Sequence, residues 1–200
     1  MKFYLDITLI PNEEDNLGVI WSMLYTQMHL ALVELKDENN TVNIGFSFPL
    51  YRDHQFPLGD VLRVFAHSKE RLEELDMPKW LNRLDDYVYV GKIKEVPKDV
   101  KEYVCFGRKQ FKSGAEIRRL AKRYAKRNGV SQEEALRTFE LAEQKYTKLK
   151  DDNKLPFVNM KSLSNGHPIK IFIVKKDVES KEKGVFSTYG LSNFSTLPWF

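Results

Sequence analysis

The sequence predicts an α+β fold: an N-terminal domain of β-α-β-β-α-β order, then a smaller C-terminal α+β domain with an arginine-rich helix. Three observations lead there. Short alternating segments rich in strand formers are interleaved with stretches whose apolar residues recur at three and four. Pro11, Pro49 and Asn128-Gly129 fall where such segments stop. A chain of 200 residues with 42% hydrophobic content can also bury a sizeable core, as one domain or two small ones.

Residues 3–10 form the first expected strand, ended by Pro11. Residues 16–35 are helical, with Leu17, Ile20, Trp21, Leu24, Met28, Ala31, Leu32 and Leu35 on one face. A turn at 37–41 leads to a strand at 42–48, and 61–66 is the next strand. Ser68 is placed to cap a helix that runs through Leu75, breaks near Pro78 and resumes over 80–84. Residues 87–96 close this half with a fourth strand. The order is ferredoxin-like, a four-stranded antiparallel sheet with two helices on one face. That fold hosts many functions and decides little alone.

The second half opens with a strand at 102–111, followed by a basic helix at 116–127 that Asn128-Gly129 stops. Ser131 and Glu134 then supply a capping box for a second helix. Strands at 155–163 and 169–175 flank a polar loop, and the tail at 185–200 ends in a strand and an aromatic terminus. Cys105, the only cysteine, sits in an alternating segment and reads as a buried inert thiol. The apolar N-terminus is too short for a membrane span, so the expected protein is soluble and cytoplasmic.

Charge divides the chain. Residues 1–96 hold 10 Lys/Arg against 16 Asp/Glu, whereas 97–200 hold 22 against 12. The break falls at Val96-Pro97, which sets the expected domains at 1–96 and 97–200. On the basic helix, Ile117, Leu120, Ala121, Tyr124 and Ala125 share one face. Arg118, Arg119, Lys122, Arg123, Lys126 and Arg127 cover the other. Like charges at i,i+4 weaken a helix by a few tenths of a kcal/mol per pair, roughly. The face is either an ordinary Lys/Arg-rich surface or the seat of a polyanion, which would explain why the cost is tolerated.

No P-loop, GxGxxG, HExxH, G-x-S-x-G or Cys/His cluster is present, so no metal and no cofactor are expected. Cleavage of a phosphodiester would then proceed without metal. RNA carries its own nucleophile, the 2′-hydroxyl, and needs only a base and an acid. His29, near the C-terminal end of the first helix, is either a partly buried structural group or that acid–base residue. A helix C-terminus would favour its imidazolium. Ser162 and Ser164 lie in a glycine-containing loop, where serines either satisfy backbone groups or act on a ligand. Tyr189 is either packing with a bonded tip or part of a site.

These residues sit in a recognisable pattern. YLDI near the start, MHLALV around His29 and IGFSFP at 44–49 are followed by GRKQFKS at 107–113. Then come the arginine-rich helix with SQEEA, LPFV at 155–158, TYGLSNF at 188–194 and the terminal PWF. From end to end the chain resembles the repeat-processing endoribonucleases of type I-F CRISPR systems. The resemblance implies binding of a stem-loop in the CRISPR repeat transcript and a metal-independent cut at the 3′ base of the stem. The cut would leave a 2′,3′-cyclic phosphate and a 5′-hydroxyl. It also implies a protein that is a monomer when free and stays on the mature guide RNA with the other subunits of a surveillance complex.

Carried over by motif, His29 would be the general base or acid–base residue. Ser162 would hold the 2′-hydroxyl in line with Ser164 beside it, and Tyr189 would orient His29. Arg108 would read a guanine and Gln110 the adjacent adenine, pairings that suit the edges of those bases. Lys112 joins them on the RNA. Arg119, Arg123 and Arg127 would enter the major groove of the stem, and a short insertion before Ser131 lets two registers one turn apart fit. Where the family stacks an aromatic beneath the last base pair, this chain has Ile169. Either His167 substitutes or the stem is seated less rigidly. The alternative function is an RNA-hairpin-binding scaffold subunit with little or no cleavage.

Overall fold

The computed structural model describes residues 1–11, 16–53, 56–151, 154–161 and 166–200. Strand β1 (Phe3–Leu9) leads to helix α1 (Leu17–Glu34). The Asn16 side chain caps α1 by accepting the N–H groups of Gly18 and Val19 at 2.9 and 3.2 Å, two of the donors that a helix start leaves unpaired. Then follow β2 (Thr41–Val42), β3 (Ile44–Ser47), β4 (Val61–Ala66), α2 (Lys69–Glu73), α3 (Met77–Leu81), β5 (Val88–Val90) and β6 (Lys94–Glu95). The main sheet runs β3-β4-β1-β5 with antiparallel pairs throughout. That is the strand order of the expected β-α-β-β-α-β arrangement.

Three elements differ locally from the sequence reading. The strand expected at 42–48 is two pieces because it has two partners: Val42 faces Phe186, whereas β3 pairs with β4. The strand expected at 87–96 divides into β5 and β6. Between the pairs Ile7–Val90 and Tyr4–Lys94, two residues of β1 face three on the opposing β5–β6 stretch, which makes a bulge at Gly91. Pro78 does not interrupt a helix. It sits in the first turn of α3, where a missing N–H costs no bond.

The structure has two compact units, Met1–Arg108 with Pro156–Phe200, and Lys109–Leu155. The division expected at 96/97 therefore does not coincide with them. The reason is packing between the two halves of the sequence. A second sheet, ordered β11-β7-β9-β8, joins β7 (Glu102–Lys109), β8 (Phe157–Lys161), β9 (Pro168–Val178) and β11 (Leu197–Trp199). Helix α1 packs against both β1 and β8. Phe106 of β7 meets Phe48 at 5.1 Å and Tyr51 at 5.6 Å edge-on, and the Tyr51 hydroxyl donates to the Ile173 carbonyl at 2.9 Å. At the end of the chain, the Arg63 guanidinium binds Asp6 through two nitrogens at 2.7 and 3.0 Å and covers the rings of Tyr4 and Phe200. One hydrophobic core is thus built from both ends of the sequence.

The second unit is a helix pair, α4 (Gly114–Asn128) and α5 (Gln132–Asp151). The complete capping box belongs to α4: Ser113 Oγ accepts the Glu116 N–H at 3.3 Å and Glu116 Oε2 accepts the Ser113 N–H at 2.9 Å. At α5, Ser131 Oγ accepts the Glu134 N–H at 3.1 Å. Gly129 ends α4 at φ +69°, a conformation that costs glycine nothing. Ile117, Ala121 and Ala125 of α4 are buried, and Ala121 and Ala125 cluster with Ala135, Val130, Leu136 and Phe139. Among the described residues no helix is long and apolar enough to cross a membrane.

Candidate active site

The apolar stripe of α1 carries Tyr25 and, one turn on, His29 to the same place. The fully buried Tyr25 hydroxyl donates to the Tyr189 carbonyl at 2.8 Å. His29 Nδ1 lies 2.8 Å from the Thr188 carbonyl. A carbonyl can only accept, so Nδ1 carries the proton and Nε2 keeps its lone pair while the ring is neutral. The imidazole stacks on the Tyr189 ring at 4.3 Å with an interplanar angle of 1°. The Arg108 guanidinium covers the same ring at 4.8 Å.

The turn that supplies these partners is held tightly. The Gly190 N–H donates to the Ser187 carbonyl at 2.8 Å, and the Phe46 N–H of β3 donates to the Gly190 carbonyl at 2.8 Å. Gly190 has φ +69°, and a Cβ there would lie 2.3 Å from the buried Phe46 ring. Only glycine fits that position. The backbone that accepts from Tyr25 and His29 is therefore fixed by the edge of the main sheet.

Electrostatics at His29 run opposite to the expectation from its helix position. Its half-buried site lowers the pKa below the usual histidine value. The Thr188 carbonyl opposes that shift, and the Arg108 cation adds to it. The neutral ring is thus favoured over the imidazolium, because burial and a nearby guanidinium outweigh the Thr188 carbonyl, and His29 lies five residues before the end of α1 at Glu34. Burial also drives the Tyr25 phenol far above its ordinary value, so it stays a neutral donor. Cys105 is buried as expected, with its thiol pushed up by burial and its Sγ donating to the Ser192 carbonyl at 2.9 Å.

His29, Tyr189 and Arg108 therefore come together, and Tyr25 and the Thr188 carbonyl, which the sequence reading does not single out, join them. The signal for Tyr25 in the sequence is its i,i+4 spacing from His29 on a buried stripe. Ser162 and Ser164 lie outside the described residues. Ile169 is half-buried, opposite Met160 in the β8–β9 pair, and packs on the main core. In the second unit Gln110, Lys112, Arg119, Arg123 and Arg127 are all exposed. None of the six cations of α4 forms an ion pair with a described residue.

A pair with no motif of its own anchors the start of that unit. Glu143 of α5 accepts from Lys109 Nζ at 2.6 Å and from the Lys112 N–H at 3.0 Å. Burial raises the Glu143 pKa, but Lys109 and the Lys112 N–H outweigh it and hold the carboxyl below its usual range. The segment bearing Gln110 and Lys112 is thereby tied to α5. Among the described residues no group of three or more His, Cys, Asp or Glu side chains could hold a metal ion.

Comparison with known proteins places the chain in a class, the CRISPR-associated proteins. A family model described as "CRISPR-associated protein (Cas_Csy4)" matches residues 4–200. Two curated relatives are each named "CRISPR-associated endonuclease Cas6/Csy4". The one from Escherichia coli (strain UTI89 / UPEC) is 32% identical and the one from Pseudomonas aeruginosa (strain UCBPP-PA14) 34% identical, each alignment covering 100% of both chains. The chain belongs to the Cas_Csy4 family.

Proposed function

We propose that this protein is a metal-independent endoribonuclease that cuts a CRISPR repeat transcript at the 3′ base of a stem-loop. It then stays on the mature guide RNA as a subunit of a type I-F surveillance complex. One observation carries the catalytic half of this reading: the Nδ1–H of His29 is committed to the Thr188 carbonyl, so the neutral ring offers Nε2 as a base. The endonuclease names of the full-length relatives support the same activity.

In the proposed reaction His29 Nε2 takes the proton of the 2′-hydroxyl upstream of the cut. The freed oxygen attacks the adjacent phosphorus, the bond to the 5′-oxygen breaks, and that oxygen leaves with the proton that His29 Nε2 gives back. The products are a 2′,3′-cyclic phosphate and a 5′-hydroxyl. Tyr189 keeps the imidazole plane fixed by stacking. Ser162 holds the 2′-hydroxyl with Ser164 beside it. Arg108 and Gln110 read guanine and adenine, Lys112 adds a contact, and Arg119, Arg123 and Arg127 grip the stem. Beneath the last base pair, either the stem rests less rigidly at Ile169 than on an aromatic ring or His167 takes the aromatic's place. The free protein is a cytoplasmic monomer.

The pH dependence tests this assignment. The base form is the neutral imidazole, and burial lowers the His29 pKa below its ordinary 6.5. Single-turnover cleavage at subsaturating RNA, which reports the groups of the free protein, should therefore rise with pH through a midpoint below 6.5 and stay flat from there to pH 8. A rate that falls across that range would assign His29 to the acid role only.

A further inference from the structure

We infer that Arg108 is a positioning residue for His29, acting through the ring of Tyr189, besides any contact it makes with a base. The inference takes the role of His29 from the nuclease reading above, but its geometry stands apart from it. Two backbone-level ties hold Arg108 and Tyr189 on neighbouring stretches of the first unit. The Ser192 N–H donates to the Phe106 carbonyl at 2.9 Å, and Cys105 Sγ donates to the Ser192 carbonyl at 2.9 Å. At Gly107 the two stretches come close: a Cβ there would lie 2.2 Å from Asn193 Oδ1 and would displace that amide. Arg108 thus leaves β7 where the chain has just passed the Tyr189 turn.

Among the described residues, what holds the guanidinium is a ring face. Its carbon sits 4.8 Å from the Tyr189 centroid, while the buried Nε has no hydrogen-bond partner among the described residues. Cation, phenol ring and imidazole form one chain of contacts, because Tyr189 also stacks on His29. Among the described residues, the groups that act on the imidazole are the Thr188 carbonyl, the Tyr189 ring and Arg108, and of these Arg108 carries the charge. Its charge also reaches Tyr25. The residue proposed to read the base of the stem is therefore in electrical and mechanical contact with the one proposed to move the proton. A guanidinium that served only to grip RNA would need neither contact.

The experiment is an NMR titration of the His29 imidazole in the RNA-free protein. It compares wild type, Arg108→Gln, Arg108→Met and Arg108→Lys. Loss of the cation should raise the His29 midpoint in both neutral variants. Arg108→Lys, which keeps the charge, should stay near wild type. Single-turnover rates at saturating hairpin should fall in the neutral variants, their acid limb should move the same way, and lysine should restore part of the loss. An unchanged His29 midpoint in the neutral variants overturns the inference, whatever happens to RNA affinity. A shifted midpoint in a protein that cuts nothing supports the inference and sinks the nuclease reading instead.

Discussion

His29→Ala is expected to lower single-turnover cleavage by about 10²–10⁴-fold, the usual contribution of a positioned acid–base group, while hairpin affinity stays within a few-fold. The separation follows from geometry. His29 is half-buried and held by one carbonyl and one ring, and it offers a single nitrogen to a ligand. Such a group adds little to binding and much to proton transfer. The variant should also fold, because the neighbouring core residues Tyr25, Met28 and Leu32 are untouched. Parallel loss of affinity and rate would mean that His29 supports the RNA surface and not the reaction.

The second large effect is the mirror image. Changing Arg119, Arg123 and Arg127 together to Ala should weaken hairpin binding by on the order of 10³-fold, since a hydrogen bond to a charged group contributes about 1.5–3 kcal/mol. The salt slope of binding should fall by about one unit per arginine that contacts a phosphate. At saturating RNA the cut itself should survive. All three side chains are exposed, and removing like charges at i,i+4 spacing relieves repulsion within α4. The melting temperature should therefore hold or rise. Filter binding across a salt series, with cleavage measured at saturation, checks both halves.

Much of the local structure is legible in the amino-acid sequence. The stripe of α1 and the two faces of α4 follow from spacing alone, and the capping patterns mark helix starts because local chemistry decides them. The division of the chain is not legible. The change in charge at Val96-Pro97 is real, but β7, β8, β9 and β11 come home to the core that the first half begins. Packing between residues such as Tyr51 and Ile173, 122 positions apart, leaves no local mark. Pro78 is ambiguous for a related reason: a proline breaks a helix interior but suits a first turn, and only the boundary distinguishes the two.

The site shows the same limit. Motif and spacing single out His29, Tyr189 and Arg108 one at a time. That Tyr25 anchors the turn, or that Arg108 lies on the Tyr189 ring, depends on packing between segments some 80 to 160 residues apart. The sign of the His29 shift is the sharpest case. A helix terminus argues for the imidazolium, yet burial and a cation brought from β7 favour the neutral ring. Neither of those influences is visible in the helix sequence. The result is chemically consistent with a base, since a histidine that is neutral at physiological pH can accept the proton of a 2′-hydroxyl.

One measurement tests the central claim most directly. A cognate repeat hairpin carrying a single 2′-deoxy nucleotide just upstream of the cut is compared with the all-ribose hairpin, both in EDTA. Cleavage of the all-ribose hairpin at its full rate, with a 2′,3′-cyclic phosphate end, and no cleavage of the deoxy hairpin is the predicted result. Cutting of the deoxy hairpin, or loss of all cutting in EDTA, would contradict a reaction driven by the 2′-hydroxyl and a neutral histidine.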